Sequence, residues 1–236
     1  MKGARALTPL EIQAVCVAFS GKYAIRNRTL FLLCANIGAR ITEALNLNVG
    51  DVFQNSEIVD VLYLRRQTVK GKQSGVSLTL PTGARKALIS FIAWKREAGE
   101  RLSKRAPLFV SRKAGRLSRK RAHEIFTAAY EKVGLKGHVT THSPRKTYAK
   151  MVYQNSNNNL MVTQQALRHT SIETTLYYLN TLKDEVTSAM PNFDFGEPDV
   201  CKKTSGSKII DFQKAARQLD KSDTDRRAED TSKRSS

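Results

Sequence analysis

Apolar positions recur along this chain at two spacings, and the change from one to the other divides it into elements. Leu7-Thr8-Pro9-Leu10-Glu11 opens the first helical stretch. Thr8 is suited to cap the helix, Pro9 to the first helical position and Glu11 to complete a capping box, so a helix is predicted to about Ser20. Asn27 to Ile37 is strongly apolar and predicts a second helix, with Gly38 placed to end it in a left-handed conformation and Arg40 emerging at the turn. Glu57 to Val69 is rich in Val, Ile, Leu and Tyr and lacks helix punctuation, and Val76 to Leu80 alternates apolar with polar, which predicts a β-hairpin. Its turn, Lys70 to Gly75, carries two lysines and two glycines. Helical spacing returns from Thr82 to Ala98, where Leu88, Phe91, Ile92 and Trp94 mark a core face. Ser118 and Gly134 then bracket another amphipathic helix. Three short helices follow, Ser143 to Gln154, Leu160 to Leu167 and Ser171 to Asn180, separated by an Asn-rich turn and an Arg168-His169 corner. The pattern is that of an α+β fold, mainly helical, with a small antiparallel sheet. Beyond Thr181 the spacing predicts a helix to about Met190 and another from Ser207 to Leu219. Asp220 to Ser236, with almost no apolar residues, is expected to be disordered.

Charge narrows the class of partner. The 236 residues carry a formal net charge of +19, yet 40% are hydrophobic, so the chain is a folding one rather than a disordered polycation. An excess of this size on a foldable chain points to a nucleic acid. The basic residues concentrate between Lys95 and Arg121, where Arg112, Lys113, Arg116, Arg119, Lys120 and Arg121 form the densest part. A solvated face is the ordinary reading of such a run; beside a polyanionic partner it becomes a candidate surface for phosphate contacts. Cys16, Cys34 and Cys201 are too few and too far apart for a disulfide framework or a zinc cluster, which fits a reducing cytoplasm. No apolar run approaches the roughly 18 residues of a membrane span.

Three short segments carry candidate chemistry: Gly38-Ala39-Arg40-Ile41-Thr42-Glu43-Ala44-Leu45, Thr141-His142-Ser143-Pro144-Arg145-Lys146-Thr147, and Arg168 to Tyr178 with His169 at its start and two adjacent tyrosines at its end. Two arginines and two histidines near helix ends suggest a clamp for phosphate around a tyrosine. In this order and spacing, from about Leu7 to about Asn180, the segments resemble the catalytic half of the tyrosine recombinase (phage integrase) family.

The resemblance implies roles. Tyr178, nine positions after His169, corresponds to the nucleophile that attacks a DNA phosphodiester and leaves a 3′-phosphotyrosyl link, with Tyr177 as a packing residue. Arg40 and Arg145 correspond to the guanidinium pair on the nonbridging oxygens, which planar forks match in geometry. His142 corresponds to the acid/base group beside the tyrosine and His169 to a hydrogen-bond donor to the phosphate. Lys72, or else Lys70, corresponds to the hairpin lysine that protonates the leaving 5′-oxygen. Glu43, Asp51 and Thr147 match positions expected to brace helices and loops, whereas His123 and His138 fall outside the pattern. No metal, cofactor or ATP is implied.

Two positions depart from the family pattern. Ser143-Pro144 replaces a commoner pair, and Arg168 stands where a glycine is usual. The arginine is expected to strain the corner unless its φ is negative, or else to add a DNA contact.

Residues 1–182 are expected to form the catalytic domain and 183–236 an extension, whose Leu182 to Phe195 segment either docks on a neighbouring subunit or folds back on its own. With Arg40 so near the start, the resemblance is to short members without an N-terminal core-binding domain, or to the catalytic part of something longer. The expected partners are double-stranded DNA and, on DNA, a homotetramer, in the cytoplasm of a prokaryotic cell or encoded on a mobile element. A site-specific recombinase is the leading reading. A topoisomerase of type IB and a noncatalytic DNA-binding or excision-control protein are the alternatives.

Overall fold

Thr8 begins the first helix as a full capping box: its side chain accepts from the Glu11 backbone N–H at 3.2 Å, and Glu11 Oε2 accepts from the Thr8 N–H at 2.8 Å. The computed structural model describes residues 3–65 and 75–179, all within one compact unit, Met1–Ala189. Helix α1 (Pro9–Ala18) is followed by α2 (Ala24–Asn36), α3 (Ile41–Leu45) and α4 (Val49–Val52). Strands β1 (Phe53–Gln54), β2 (Glu57–Ile58), β3 (Val61–Leu64) and β4 (Val76–Thr79) come next. Five helices complete the order: α5 (Thr82–Glu97), α6 (Arg119–Val133), α7 (Ser143–Asn155), α8 (Leu160–Leu167) and α9 (Ile172–Leu179). The fold is mainly helical with small antiparallel sheets.

The predicted hairpin is present but divided. β3 pairs antiparallel with β4, Leu62 opposite Leu78, whereas Glu57 and Ile58 leave that strand and pair with β1 instead. The reason lies at Asn55 and Ser56, both at positive φ (50° and 65°), which close a tight turn whose twist matches a two-stranded ribbon. An Asn-led pair before a short apolar run was the available signal. In β3, Leu62 and Leu64 are buried and Val61 and Tyr63 exposed, the period-two alternation of a half-buried strand. The hairpin turn with Lys70 and Lys72, and all three C-terminal expectations, lie outside the described residues.

The main core gathers around edge-to-face aromatics, with Phe31 packed on Phe126 at 5.4 Å and on Phe19 at 5.8 Å between ring centroids. Leu88, Phe91 and Ile92 of α5 enter it as predicted, while Trp94 is only partly buried, stacked on Phe91 and edge-on to Tyr23. Lys95, counted with the basic run, is fully buried and donates to Glu100 Oε2 at 2.6 Å, which removes it from any phosphate surface.

A smaller cluster of Ala149, Tyr153, Leu167 and Leu179 joins α7, α8 and α9, with Tyr178 packed at its edge. Since α7 also packs on α2, the end of α2 and the α8–α9 corner are held against one helix. Gly38 is where this succeeds or fails. It ends α2 at φ +58°, and a Cβ there would overlap the Tyr148 ring of α7. Gly38→Ala is therefore expected to lower stability by about 2 kcal/mol or more in denaturant unfolding, combining backbone strain with overpacking.

Candidate active site

Each of Arg40, His142, Arg145, His169 and Tyr178 sits at or beside a helix end, and the start of α7 provides two of them. His142 precedes its first turn, Pro144 occupies that turn without losing a needed N–H, and Arg145 follows on the same face. The Arg145 side chain is buried, with 1% of its surface exposed. Its two terminal nitrogens donate to the carbonyls of Gly38 and Leu167, tying the end of α2 to the end of α8. Its Nε is buried without a partner among the described residues, and its guanidinium carbon lies 5.8 Å from the Tyr178 ring centroid. Burial, then the charges of Arg40 and Arg168, bring the guanidinium down to about 10.

Arg40 caps α3. Its backbone N–H donates to Glu43 Oε2 at 2.8 Å, and its Nη1 to Glu43 Oε1 at 2.6 Å. Glu43, 0% exposed, braces the site as the sequence suggested. Burial alone would raise its carboxyl, but the charge of Arg168 and the bonds and charge of Arg40 outweigh that and hold it below the usual range. Thr147 and Asp51 also brace backbone: Thr147 Oγ1 accepts from the Leu7 N–H at 2.8 Å, and Asp51 Oδ2 accepts from the Asn48 N–H at 2.8 Å.

The α8 corner is a Schellman motif. The Arg168 N–H donates to the Gln165 carbonyl at 3.0 Å and the His169 N–H to the Gln164 carbonyl at 3.1 Å. This closure puts Arg168 at φ +59°, ψ 39°, so the strain foreseen for a non-glycine residue at this corner is present. The left-handed conformation costs a non-glycine residue roughly 1–2 kcal/mol. Nor is the side chain free to reach DNA, because it is 2% exposed and turned inward. Its Nη2 donates to Glu43 Oε2 at 2.9 Å and to the Gly38 carbonyl at 3.1 Å.

His169 follows with its ring 4.9 Å from that of Tyr178 between centroids and its Nδ1 3.0 Å from the buried Thr175 hydroxyl. Burial, followed by the charges of Arg145, Arg40 and Arg168, depresses its imidazole to about 4, so it is uncharged at neutral pH. His142 Nδ1 lies 3.0 Å from the Tyr178 hydroxyl. Its imidazole is lowered too, first by burial and then by Arg119, Arg145, Lys146 and Arg40. With its proton on Nε2, a neutral imidazole at this distance can accept the hydrogen bond of the phenol.

Tyr177 points elsewhere. It is 58% exposed, with Lys146 Nζ 5.1 Å from its ring centroid and its hydroxyl over Gly3. Lys146 is the residue the sequence reading passed over. It is buried, with Nζ 5.4 Å from the Tyr178 ring centroid as well, and burial lowers its ammonium. Its position immediately after Arg145, on the helix that carries the clamp, was the signal.

Arg40, His142, Arg145, His169 and Tyr178 thus meet in one pocket, while Lys72 lies outside the described residues. Of the basic stretch, Arg112, Lys113, Arg119 and Lys120 are exposed, and Arg119 is near enough to act on His142. Arg112, Lys113 and Arg121 line a depression of about 930 Å³ with Lys22 and Arg26. Arg116 is engaged differently, donating to the Leu45 and Leu47 carbonyls at 2.6 and 2.9 Å and to Asn48 Oδ1 at 2.8 Å. Arg121 pairs with Glu124 at 2.8 Å. No described helix is long and apolar enough to cross a membrane.

Residues 5–185 match the family model described as the phage integrase family. The chain is 31% identical over 164 residues to the tyrosine recombinase XerD of Corynebacterium glutamicum, covering 69% of this chain and 50% of that protein. It is 32% identical over 164 residues to the tyrosine recombinase XerC of Rhodospirillum centenum, covering 70% and 45%. The chain therefore spans about half the length of the curated relatives it matches. In fold it is similar to the crystal structure of XerA recombinase, with a TM-score of 0.62 at 23% identity over 80% of this chain and 66% of that one. The XerH site-specific recombinase bound to a palindromic difH substrate in a post-cleavage complex has a TM-score of 0.59 at 22% identity over 78% and 52%.

Proposed function

The chain belongs to the phage integrase family, and from that membership together with the pocket around Tyr178 we propose that it breaks and rejoins double-stranded DNA at specific sites. The observation that carries the reading is the 3.0 Å approach of the Tyr178 hydroxyl to His142 Nδ1 beside two arginines and a second histidine. A phenol is neutral near pH 7, so a neutral imidazole held against it supplies the base it needs. Tyr178 Oη attacks the scissile phosphorus as its proton passes to His142. The bond from phosphorus to the 5′-oxygen breaks, leaving a 3′-phosphotyrosine and a 5′-hydroxyl. Arg40 and Arg145 oppose the charge growing on the nonbridging oxygens, and His169 donates to the same group. Lys72 or Lys70 of the hairpin turn supplies the proton to the leaving oxygen. Attack of a 5′-hydroxyl on the phosphotyrosine reverses these steps, and because the ester is conserved throughout, rejoining needs no ATP.

Residues 1–182 form the catalytic domain in this reading, and 183–236 an extension whose first segment links subunits into a tetramer on DNA in a bacterial cytoplasm. Arg112, Lys113, Arg116, Arg119, Lys120 and Arg121 lie along the phosphate track, with Arg116 acting by holding the loop after α3.

The test is capture from a randomised pool of nicked duplexes, in which the short fragment between the cleaved phosphate and the nick, carrying the new 5′-hydroxyl, diffuses away and prevents rejoining. A DNA adduct that survives detergent and maps by mass spectrometry to Tyr178 is the expected result. Retained DNA binding with no adduct from any sequence would make the chain a noncatalytic DNA-binding protein. Relaxation of any supercoiled plasmid without sequence preference would make it a topoisomerase.

A further inference from the structure

We propose that Arg168 is a positioning residue for Arg40, acting through the Glu43 carboxylate that the two arginines share. The proposal rests on the reading of Arg40 as a phosphate-binding group. The α8 corner itself asks for no arginine, since its left-handed backbone favours glycine and its two Schellman bonds use only main-chain atoms. A long charged side chain in that conformation, buried rather than released to water, indicates a task for the guanidinium.

That task follows from how Glu43 divides its oxygens. Oε1 accepts from Arg40 Nη1 at 2.6 Å, while Oε2 accepts from the Arg40 N–H at 2.8 Å and from Arg168 Nη2 at 2.9 Å. The ion pair between Glu43 and Arg168 is almost wholly buried, with side-chain exposures of 0% and 1%. An ionised carboxylate next to a phosphate-binding arginine has two ways to harm it. It can swing to take the guanidinium by both terminal nitrogens, occupying the edge the phosphate needs, and its charge repels the phosphate.

Arg168 counters both. It pins Oε2 away from the Arg40 fork and neutralises the carboxylate, leaving the Arg40 charge for the substrate. The Arg168 carbonyl also lies 3.5 Å from Arg40 Nη2, a second link to the same guanidinium. The charge of Arg168 contributes to holding His169 uncharged, which places it electrostatically within the pocket.

Arg168→Gly relieves the backbone strain while removing the charge, and only together with Arg168→Lys does it distinguish this role from a structural one. On captured suicide duplexes at saturation, the variant is expected to cleave about tenfold or more slowly, with duplex affinity within about threefold because the Arg168 guanidinium is committed to Glu43 and the Gly38 carbonyl rather than to DNA. Arg168→Lys, which still neutralises Glu43, should recover part of the rate. Inorganic phosphate titrated against the full chain, followed by the His169 imidazole resonances, reads the clamp without cleavage. Its dissociation constant should rise about fivefold or more in Arg168→Gly and should not change further when that substitution is added to Arg40→Ala.

Phosphate affinity or cleavage unchanged in Arg168→Gly, or full additivity with Arg40→Ala, would overturn the assignment. A chain that shows the phosphate pattern yet forms no Tyr178 adduct would refute the cleavage reading and leave Arg168 in its role.

Discussion

Replacing Tyr178 with Phe is expected to abolish covalent capture of DNA, by at least about a thousandfold in rate, whereas Tyr177→Phe leaves it within about threefold. The two adjacent phenols differ in what surrounds them. The Tyr178 hydroxyl is 3.0 Å from His142 Nδ1, and its ring is packed edge-on to His169. Tyr177 faces Lys146 and solvent. Tyr178→Phe removes one hydroxyl and one hydrogen bond, so it should unfold within about 1 kcal/mol of the unsubstituted chain, which separates a lost nucleophile from a lost fold. The pH dependence adds an independent check. The base must be neutral, and burial with four nearby cationic side chains lowers His142, so the acid limb of the adduct-forming rate should fall below pH 6.5, the ordinary imidazole value. An acid limb above that value, or an adduct retained in Tyr178→Phe, would remove Tyr178 and His142 from these roles.

Glu43→Gln is expected to cost about 3–5 kcal/mol of stability near neutral pH, the usual consequence of removing one partner from a buried charge pair. The buried Glu43 carboxylate pairs with both Arg40 and Arg168 and lies within electrostatic reach of Arg145. A neutral amide leaves the buried Arg145 and Arg168 and the half-buried Arg40 without their counter-charge. The effect has a definite pH signature. The folded-state carboxyl is lowered below its ordinary 4.5, so its contribution is complete above that value and is lost as pH falls through the lower folded value. Denaturant unfolding across this range should show the two proteins converging in acid. Curves that stay parallel would mean that the Glu43 charge does not hold the corner together.

Local chemistry made much of the fold readable beforehand. Thr8, Pro9 and Glu11 specify their helix start within four residues, and Ser118 with Gly134 specify both ends of α6, because the groups that satisfy orphan backbone donors and carbonyls lie within a turn of them. Boundaries set by packing were less legible. α2 begins at Ala24, three residues before the expected Asn27, and nothing in the Tyr23 side chain caps it. The strand predicted from Glu57 onward is divided because a two-residue turn at Asn55 and Ser56 captures its first residues.

The pocket divides in the same way. The resemblance to the family pattern was enough to nominate Arg40, His142, Arg145, His169 and Tyr178, since guanidinium, imidazole and phenol chemistry depends on the side chain itself. Which phenol faces the histidines depends on the roll of α9 against α7, set by the burial of Leu179 and Thr175. Arg168 is the clearest case. Its sequence position promised a strained corner or a DNA contact; the strain is found and the contact is not, because the side chain's partner Glu43 lies 125 residues earlier. Composition and motif determined that this chain carries the groups for phosphate chemistry on a basic, mainly helical scaffold. Only the tertiary structure decided which groups touch and which charges are compensated, because burial and distance between remote segments set the strength of every charge in the site.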